Sequence, residues 1–178
     1  MDLKQLIQTS AQQLAQAKVA YGHGTLNAQD EATWLVLWQL QLPLDLDLSD
    51  DAQKLQHQVG ALNPSLNVLD ISQANIAACQ ALIEQRIQTR KPAAYLTREA
   101  WLQGIPFYVD ERSIVPRSFI AELIVDGAFD GWLAENSHSF LDLCTGNGSL
   151  AVLCAMVYPD IQVTGADISS EALAVAKI

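Results

Sequence analysis

Phe140-Leu-Asp-Leu-Cys-Thr-Gly-Asn-Gly-Ser149 and Ile161-Gln-Val-Thr-Gly-Ala-Asp167 are the stretches whose reading decides the fold. Phe140 to Cys144 is a short apolar strand, and Gly146 and Gly148 follow it directly. Leu150, Ala151, Leu153, Cys154 and Val157 then recur as in a helix, which Pro159 stops. Ile161 to Ala166 is a second strand, ending on Asp167. Ser169 or Ser170 caps a last helix carrying Leu173, Ala174 and Val175. Strand, glycine turn, helix, strand, acid: the order predicts a β-α-β unit.

Without a Cβ at Gly146 and Gly148, the chain can turn tightly and let a ligand lie against backbone amides at a helix N-terminus. Asp167 stands nineteen positions after Gly148. A carboxylate there can accept hydrogen bonds from both hydroxyls of an adenosine ribose. An adenosine-type cofactor is therefore expected. Gly146-x-Gly148-x-x-Ala151 also satisfies the G-x-G-x-x-G/A spacing of dinucleotide binders, so NAD is an alternative. Asp142, inside the first strand and four positions before Gly146, favours a different cofactor. A diphosphate gains nothing from a neighbouring carboxylate, whereas a sulfonium cofactor with a free amino group does. Asp142 thus points to S-adenosylmethionine, bound at its methionine end.

Working outward, residues 1–91 predict an all-α domain. Leu3, Leu6, Ile7, Leu14 and Val19 fall near one face of a first helix. Asn27 caps a second, with Trp34, Leu35, Leu37, Trp38 and Leu40 in its core stripe and Pro43 beyond it. Ser49, Asp50 and Asp51 begin a third. Ser72 caps a fourth that buries Ile76, Cys79, Leu82, Ile83 and Ile87 and ends at Lys91-Pro92. Residues 92–117 form a linker with a β-hairpin: Trp101-Leu-Gln103, Gly104, then Phe107-Tyr-Val109, with Pro106 at a strand start or edge. Residues 118–178 open the α/β domain, where Ser118 caps a helix carrying Ile120, Leu123, Ile124 and Phe129.

Half of the 178 residues are hydrophobic, enough for a core without disulfides or a structural metal. Ten basic against twenty acidic residues give a formal charge of −10, which argues against a phosphate-binding surface and hence against direct nucleic-acid binding. Cys79, Cys144 and Cys154 lack metal or redox spacing and are expected as small buried hydrophobes in a reducing cytoplasm. No signal-peptide core follows Met1 and no run of 18 apolar residues occurs, so a cytoplasmic protein without a membrane partner is expected.

Leu141-Asp-Leu-Cys-Thr-Gly-Asn-Gly-Ser149 resembles the first motif of the protein-(glutamine-N5) methyltransferases, class I S-adenosylmethionine enzymes that methylate a glutamine side-chain amide. Tyr21-Gly-His-Gly-Thr25, Ala94-Tyr-Leu-Thr97, Phe107-Tyr-Val-Asp-Glu111, Val115-Pro-Arg-Ser118 and Gly165-Ala-Asp-Ile-Ser169 are similar to the branch acting on the third protein of the large ribosomal subunit. Phe119 departs from the proline of that branch. The sister branch, acting on peptide-chain release factors, carries Pro-Arg-Pro-Asp-Thr-Glu where this chain has Pro116-Arg-Ser-Phe-Ile-Ala121. The resemblance implies a Rossmann-like methyltransferase domain behind a helical substrate-recognition domain. It places Asp142, Gly146 and Gly148 at the cofactor's methionine end and Asp167 at its ribose, with Cys144 also among the cofactor-binding residues. His23 is assigned no chemistry. The implied partner is a basic ribosomal protein.

The family's catalytic motif, Asn-Pro-Pro-Tyr, does not occur; the only Asn-Pro here, Asn63-Pro64, is followed by Ser65. About 40 residues follow Phe140, against the roughly 100 to 150 of a typical domain. The expectation is therefore a truncated chain without catalytic residues or metal ligands, inactive by itself and prone to self-association. A release-factor glutamine methyltransferase, an NAD-dependent oxidoreductase and a non-catalytic helical binding module are the rival readings.

Overall fold

Asp2 fixes where the first helix begins. Its carboxylate accepts the Gln5 N–H at 2.8 Å while the Gln5 side chain accepts the Asp2 N–H at 3.2 Å, a reciprocal cap that satisfies two backbone donors. Helix α1 (Leu3–Gln16) then buries Leu3, Leu6, Ile7, Ala11 and Leu14. The computed structural model to which it belongs describes residues 1–133 and 137–178 and divides into two units, Met1–Thr97 and Arg98–Ile178. Val19 is buried as expected, but from beyond the helix, which has already ended where Lys18 takes a left-handed conformation at φ 51°.

Helix α2 (Ala28–Gln39) is capped by Asn27, whose side chain accepts the Asp30 N–H at 2.9 Å. It buries Ala32, Trp34, Leu35, Val36 and Leu37, residues on all sides of the helix, and is packed by α1 and by two later helices, Gln73–Thr89 and Ala93–Thr97. Helix α3 (Ala52–Leu62) begins at the last of the three residues expected to start it, Asp51, whose carboxylate accepts the N–H groups of Gln53 and Lys54. Helix α4 (Gln73–Thr89) is capped by Ser72 and ends where Arg90 turns left-handed. A short α5 (Ala93–Thr97), which the sequence reading did not contain, closes the unit.

In the second unit, β1 (Glu99–Leu102) and β2 (Ile105–Tyr108) form the expected antiparallel hairpin, with Trp101 opposite Pro106. Both strands are edges, so the missing Pro106 N–H interrupts no ladder in a larger sheet. The turn uses Gln103 and Gly104, both at positive φ. Ser118 caps α6 (Phe119–Val125) as expected, but the buried face differs. Ala121 and Ile124 point inward, Ile120 and Leu123 are half exposed, and Phe129 lies beyond the helix end.

Then β3 (Ser139–Leu143), α7 (Ser149–Val157), β4 (Gln162–Ala166) and α8 (Ser170–Val175) follow, with β3 and β4 parallel. This is the β-α-β unit predicted from the glycine turn. A core of Phe107, Ala121, Ile124, Leu153 and Cys154 joins the hairpin to α6 and α7, with Phe140 and Val163 packed against it. Strand alternation puts Phe140 and Asp142 on that side, leaving Leu141 and Leu143 exposed on the other. Overall the chain is mixed α and β: a helical first unit, then a hairpin and a parallel pair.

The charge buried deepest in the first unit is Arg86 of α4. Its Nε donates to Glu31 Oε1 at 2.7 Å and its Nη2 to the Ala20 carbonyl at 2.8 Å, while Thr25 Oγ1 donates to Glu31 Oε2 at 2.9 Å. Thr25 closes the Tyr21–Thr25 motif, so this pair ties that turn to two helices. Arg86→Ala would strand Glu31 in an apolar interior, and the expected cost is about 3–5 kcal/mol. Urea unfolding followed by far-ultraviolet circular dichroism measures it.

Candidate functional site

The site grows from the end of β3. Asp142 lies opposite Gly165 and Leu143 opposite Ala166 in the parallel register, and the Thr145 N–H extends the ladder by donating to the Ala166 carbonyl at 3.0 Å. The chain then turns through three left-handed residues: Cys144 (φ 63°), Gly146 (φ 58°) and Gly148 (φ 81°). Gly148 serves as the N-cap of α7 without any side-chain cap, so the first-turn amides of that helix are left to other acceptors. A Cβ on Gly146 would meet no atom within 4 Å; glycine suits that position through its backbone conformation, not through crowding.

Gly165 is the reverse case. Its φ is outside the left-handed range, but a Cβ there would lie 2.9 Å from Thr145 Oγ1 and 3.2 Å from Thr145 Cβ. That clearance matters because Thr145 Oγ1 donates a short hydrogen bond, 2.5 Å, to Asp142 Oδ2. Asp142 is only 8% exposed, and among the described residues no lysine or arginine pairs with it. Its charge reaches the helix above: burial, and secondarily the Asp142 carboxylate, push the Cys154 thiol up.

Asp167 holds the turn from the other strand. Its Oδ2 accepts the Gly146 N–H and its Oδ1 the Ser169 N–H, each at 2.9 Å. These two bonds, Ser169's being the larger influence, hold its carboxyl below the ordinary carboxylate range. Each oxygen keeps a further lone pair for a ligand hydroxyl. Asp142, Gly146, Gly148 and Asp167 are thus gathered at one turn. Cys144 corrects an expectation: Cys79 and Cys154 are buried, and burial raises Cys79 to about 11, but Cys144 is exposed. The strand stops at Leu143, and the left-handed Cys144 is turned out of the core.

Two participants escaped the sequence reading. Thr145 has no signature apart from its position after Cys144, and Asn147, buried between the two glycines, donates its Nδ2 to the Tyr108 carbonyl at 3.2 Å. Among the described residues no group of three or more His, Cys, Asp or Glu side chains could hold a metal ion, and no helix is long and apolar enough to cross a membrane.

Gly165→Ala is expected to push Thr145 off Asp142 and lower stability by about 1–3 kcal/mol, the range for overpacking, readable by chemical denaturation. Asp167 yields a pH prediction. A carboxyl whose folded pKa is depressed stabilises the fold above its unfolded value of 3.8 and loses that contribution as pH falls through the folded value. Asp167→Asn should therefore show a shallower loss of stability below pH 3.8 than the unaltered chain, in acid titrations followed by circular dichroism.

No family model matches the chain. It is 46% identical over 178 residues to the ribosomal protein uL3 glutamine methyltransferase of Burkholderia pseudomallei, covering 99% of this chain and 52% of that protein. The protein of the same name from Bordetella pertussis is 45% identical over 177 residues, covering 98% and 53%, and that from Neisseria gonorrhoeae 42% over 178, covering 99% and 54%. The chain spans about half the length of the curated relatives it matches. Over the half that it spans, the chain is similar to proteins named ribosomal protein uL3 glutamine methyltransferase.

Proposed function

We propose that the chain carries the cofactor-binding turn of an S-adenosylmethionine-dependent protein-(glutamine-N5) methyltransferase. Its domain would be Rossmann-like, its substrate a basic ribosomal protein of the uL3 type and its compartment the cytoplasm. The observation that carries this reading is the pair of carboxylates, Asp142 and Asp167, flanking the Gly146 turn in a chain with relatives of that name.

The residues fit the cofactor. Asp142 is a buried carboxylate with no basic side chain paired to it among the described residues, and the amine of the methionine moiety would supply a cation. The open side of Gly146 lets a ligand approach the backbone, and the amides opening α7 offer donors to its carboxylate. Asp167, kept ionised, accepts from the ribose hydroxyls. S-adenosylmethionine, when bound, supplies an electrophilic methyl on its sulfonium. Cys144 contributes backbone direction beside this turn.

A glutamine amide nitrogen is a weak nucleophile, because its lone pair is delocalised into the carbonyl. Such an acceptor must be oriented toward the methyl group, and positioning dominates the catalysis. Asn-Pro-Pro-Tyr, the motif that would orient it, is not among these 178 residues, so transfer by the chain alone is not expected. The charge of −10 would speed encounter with a basic partner at low salt. The exposed Leu141 and Leu143 face is where self-association would bury apolar surface.

Calorimetry with the chain should detect S-adenosylmethionine and not NAD, and Asp167→Ala should weaken binding through the lost charge-assisted hydrogen bonds. Mass spectrometry of uL3 should find a methylated glutamine after incubation with the Neisseria gonorrhoeae relative and none after incubation with this chain. Binding of NAD alone would overturn the cofactor assignment.

A further inference from the structure

Asn147 is buried, lies between the two glycines of the turn, and spends its side-chain donor on the backbone carbonyl of Tyr108, 39 residues earlier. Tyr108 is the last residue of β2. The hairpin is therefore fastened to the turn at one point and, one residue before, to α7, through Phe107 in the core with Leu153 and Cys154. Beyond it, the Val109 N–H donates to the Arg98 carbonyl at 3.3 Å and keeps the chain paired past the end of β2. Tyr108 is further restrained from its far end. Its hydroxyl donates to Asp110 Oδ2 at 3.0 Å, and Asp110 accepts from the Arg112 guanidinium.

We propose that Asn147 is a positioning residue that couples the β1–β2 hairpin to the cofactor turn, so that ligand binding at Gly146 and order in the hairpin are linked. This rests on the S-adenosylmethionine reading above. The physical argument is one of geometry. Gly146 and Gly148 are free to adopt many conformations, and glycine loses more freedom on ordering than any other residue. Between them, Asn147 holds to the hairpin through its side chain. Asp167 and Ala166 tie the turn to β4, and Gly148 donates to the Thr145 carbonyl at 2.8 Å within the turn, so the Asn147 bond is the tie that carries the turn's position to the hairpin. Linkage requires reciprocity: a ligand that orders the turn must tighten the hairpin by the same factor that an intact hairpin tightens the ligand.

The test compares the 178-residue chain with Asn147→Asp, which keeps the shape but replaces the donor with an acceptor facing a carbonyl, and with Asn147→Ser, which keeps a hydroxyl donor. S-adenosylhomocysteine is the probe. Amide hydrogen exchange of residues 99–109 without ligand should rise about tenfold in Asn147→Asp, with α1 to α4 unchanged, and partly recover in Asn147→Ser. Affinity for the probe should fall 3- to 10-fold in Asn147→Asp. The probe should slow hairpin exchange in the unaltered chain and not in Asn147→Asp, a ligand-dependent effect that a purely structural residue would not produce. Unchanged hairpin exchange in ligand-free Asn147→Asp overturns the proposal, as does loss of the tie with affinity intact. If the unaltered chain binds no S-adenosylhomocysteine, the linkage falls with the cofactor reading. The ligand-free exchange arm still decides whether the tie exists, so the two failures are distinguishable.

Discussion

The bond between the Thr145 hydroxyl and the Asp142 carboxylate is the constraint around which the second unit is arranged. A carboxylate in an apolar strand is costly unless its lone pairs are used, and Thr145 uses one from three residues away. That places Thr145 over β4, which in turn leaves no room for a side chain at Gly165. The same residue's backbone continues the parallel ladder to Ala166. One threonine thus sets the end of a strand, the composition of its neighbour, and the direction in which the chain enters the glycine turn.

The two carboxylates of the candidate site have different environments. Asp142 is enclosed, with the Thr145 hydroxyl as its side-chain partner and no basic side chain paired with it among the described residues. Asp167 is partly open and anchored by two backbone amides, which keep it ionised and oriented while leaving lone pairs for hydroxyl donors. A single ligand bearing an amine at one end and a diol further along would satisfy both.

Much of this was legible because it is local. The strand, turn, helix and strand from Phe140 to Asp167 announce themselves through glycine, proline and alternation, and Asn27, Ser72 and Ser118 cap the helices that their types suggested. Errors arose where a short segment admits several faces. The seven residues of α6 are nearly all apolar, so periodicity could not say that Ala121 and Ile124, not Ile120 and Leu123, would face the core. Cys144 looked buried by composition, yet a left-handed backbone expelled it. Arg86, expected on no buried face, is enclosed because Glu31, from another helix, neutralises it. No local pattern encodes that partnership, nor the bond from Asn147 to Tyr108.

The ties around the turn also differ in how far along the chain they reach: 3 residues from Thr145 to Asp142, 21 from Gly146 to Asp167 and 39 from Asn147 to Tyr108. Loop-closure entropy rises only with the logarithm of length, by about 0.6 kcal/mol for each doubling. Joining the hairpin to the turn thus costs little more in chain entropy than closing the β-α-β unit itself. Chain entropy therefore sets little limit on the length of the connections flanking α6, provided Asn147 still meets the Tyr108 carbonyl.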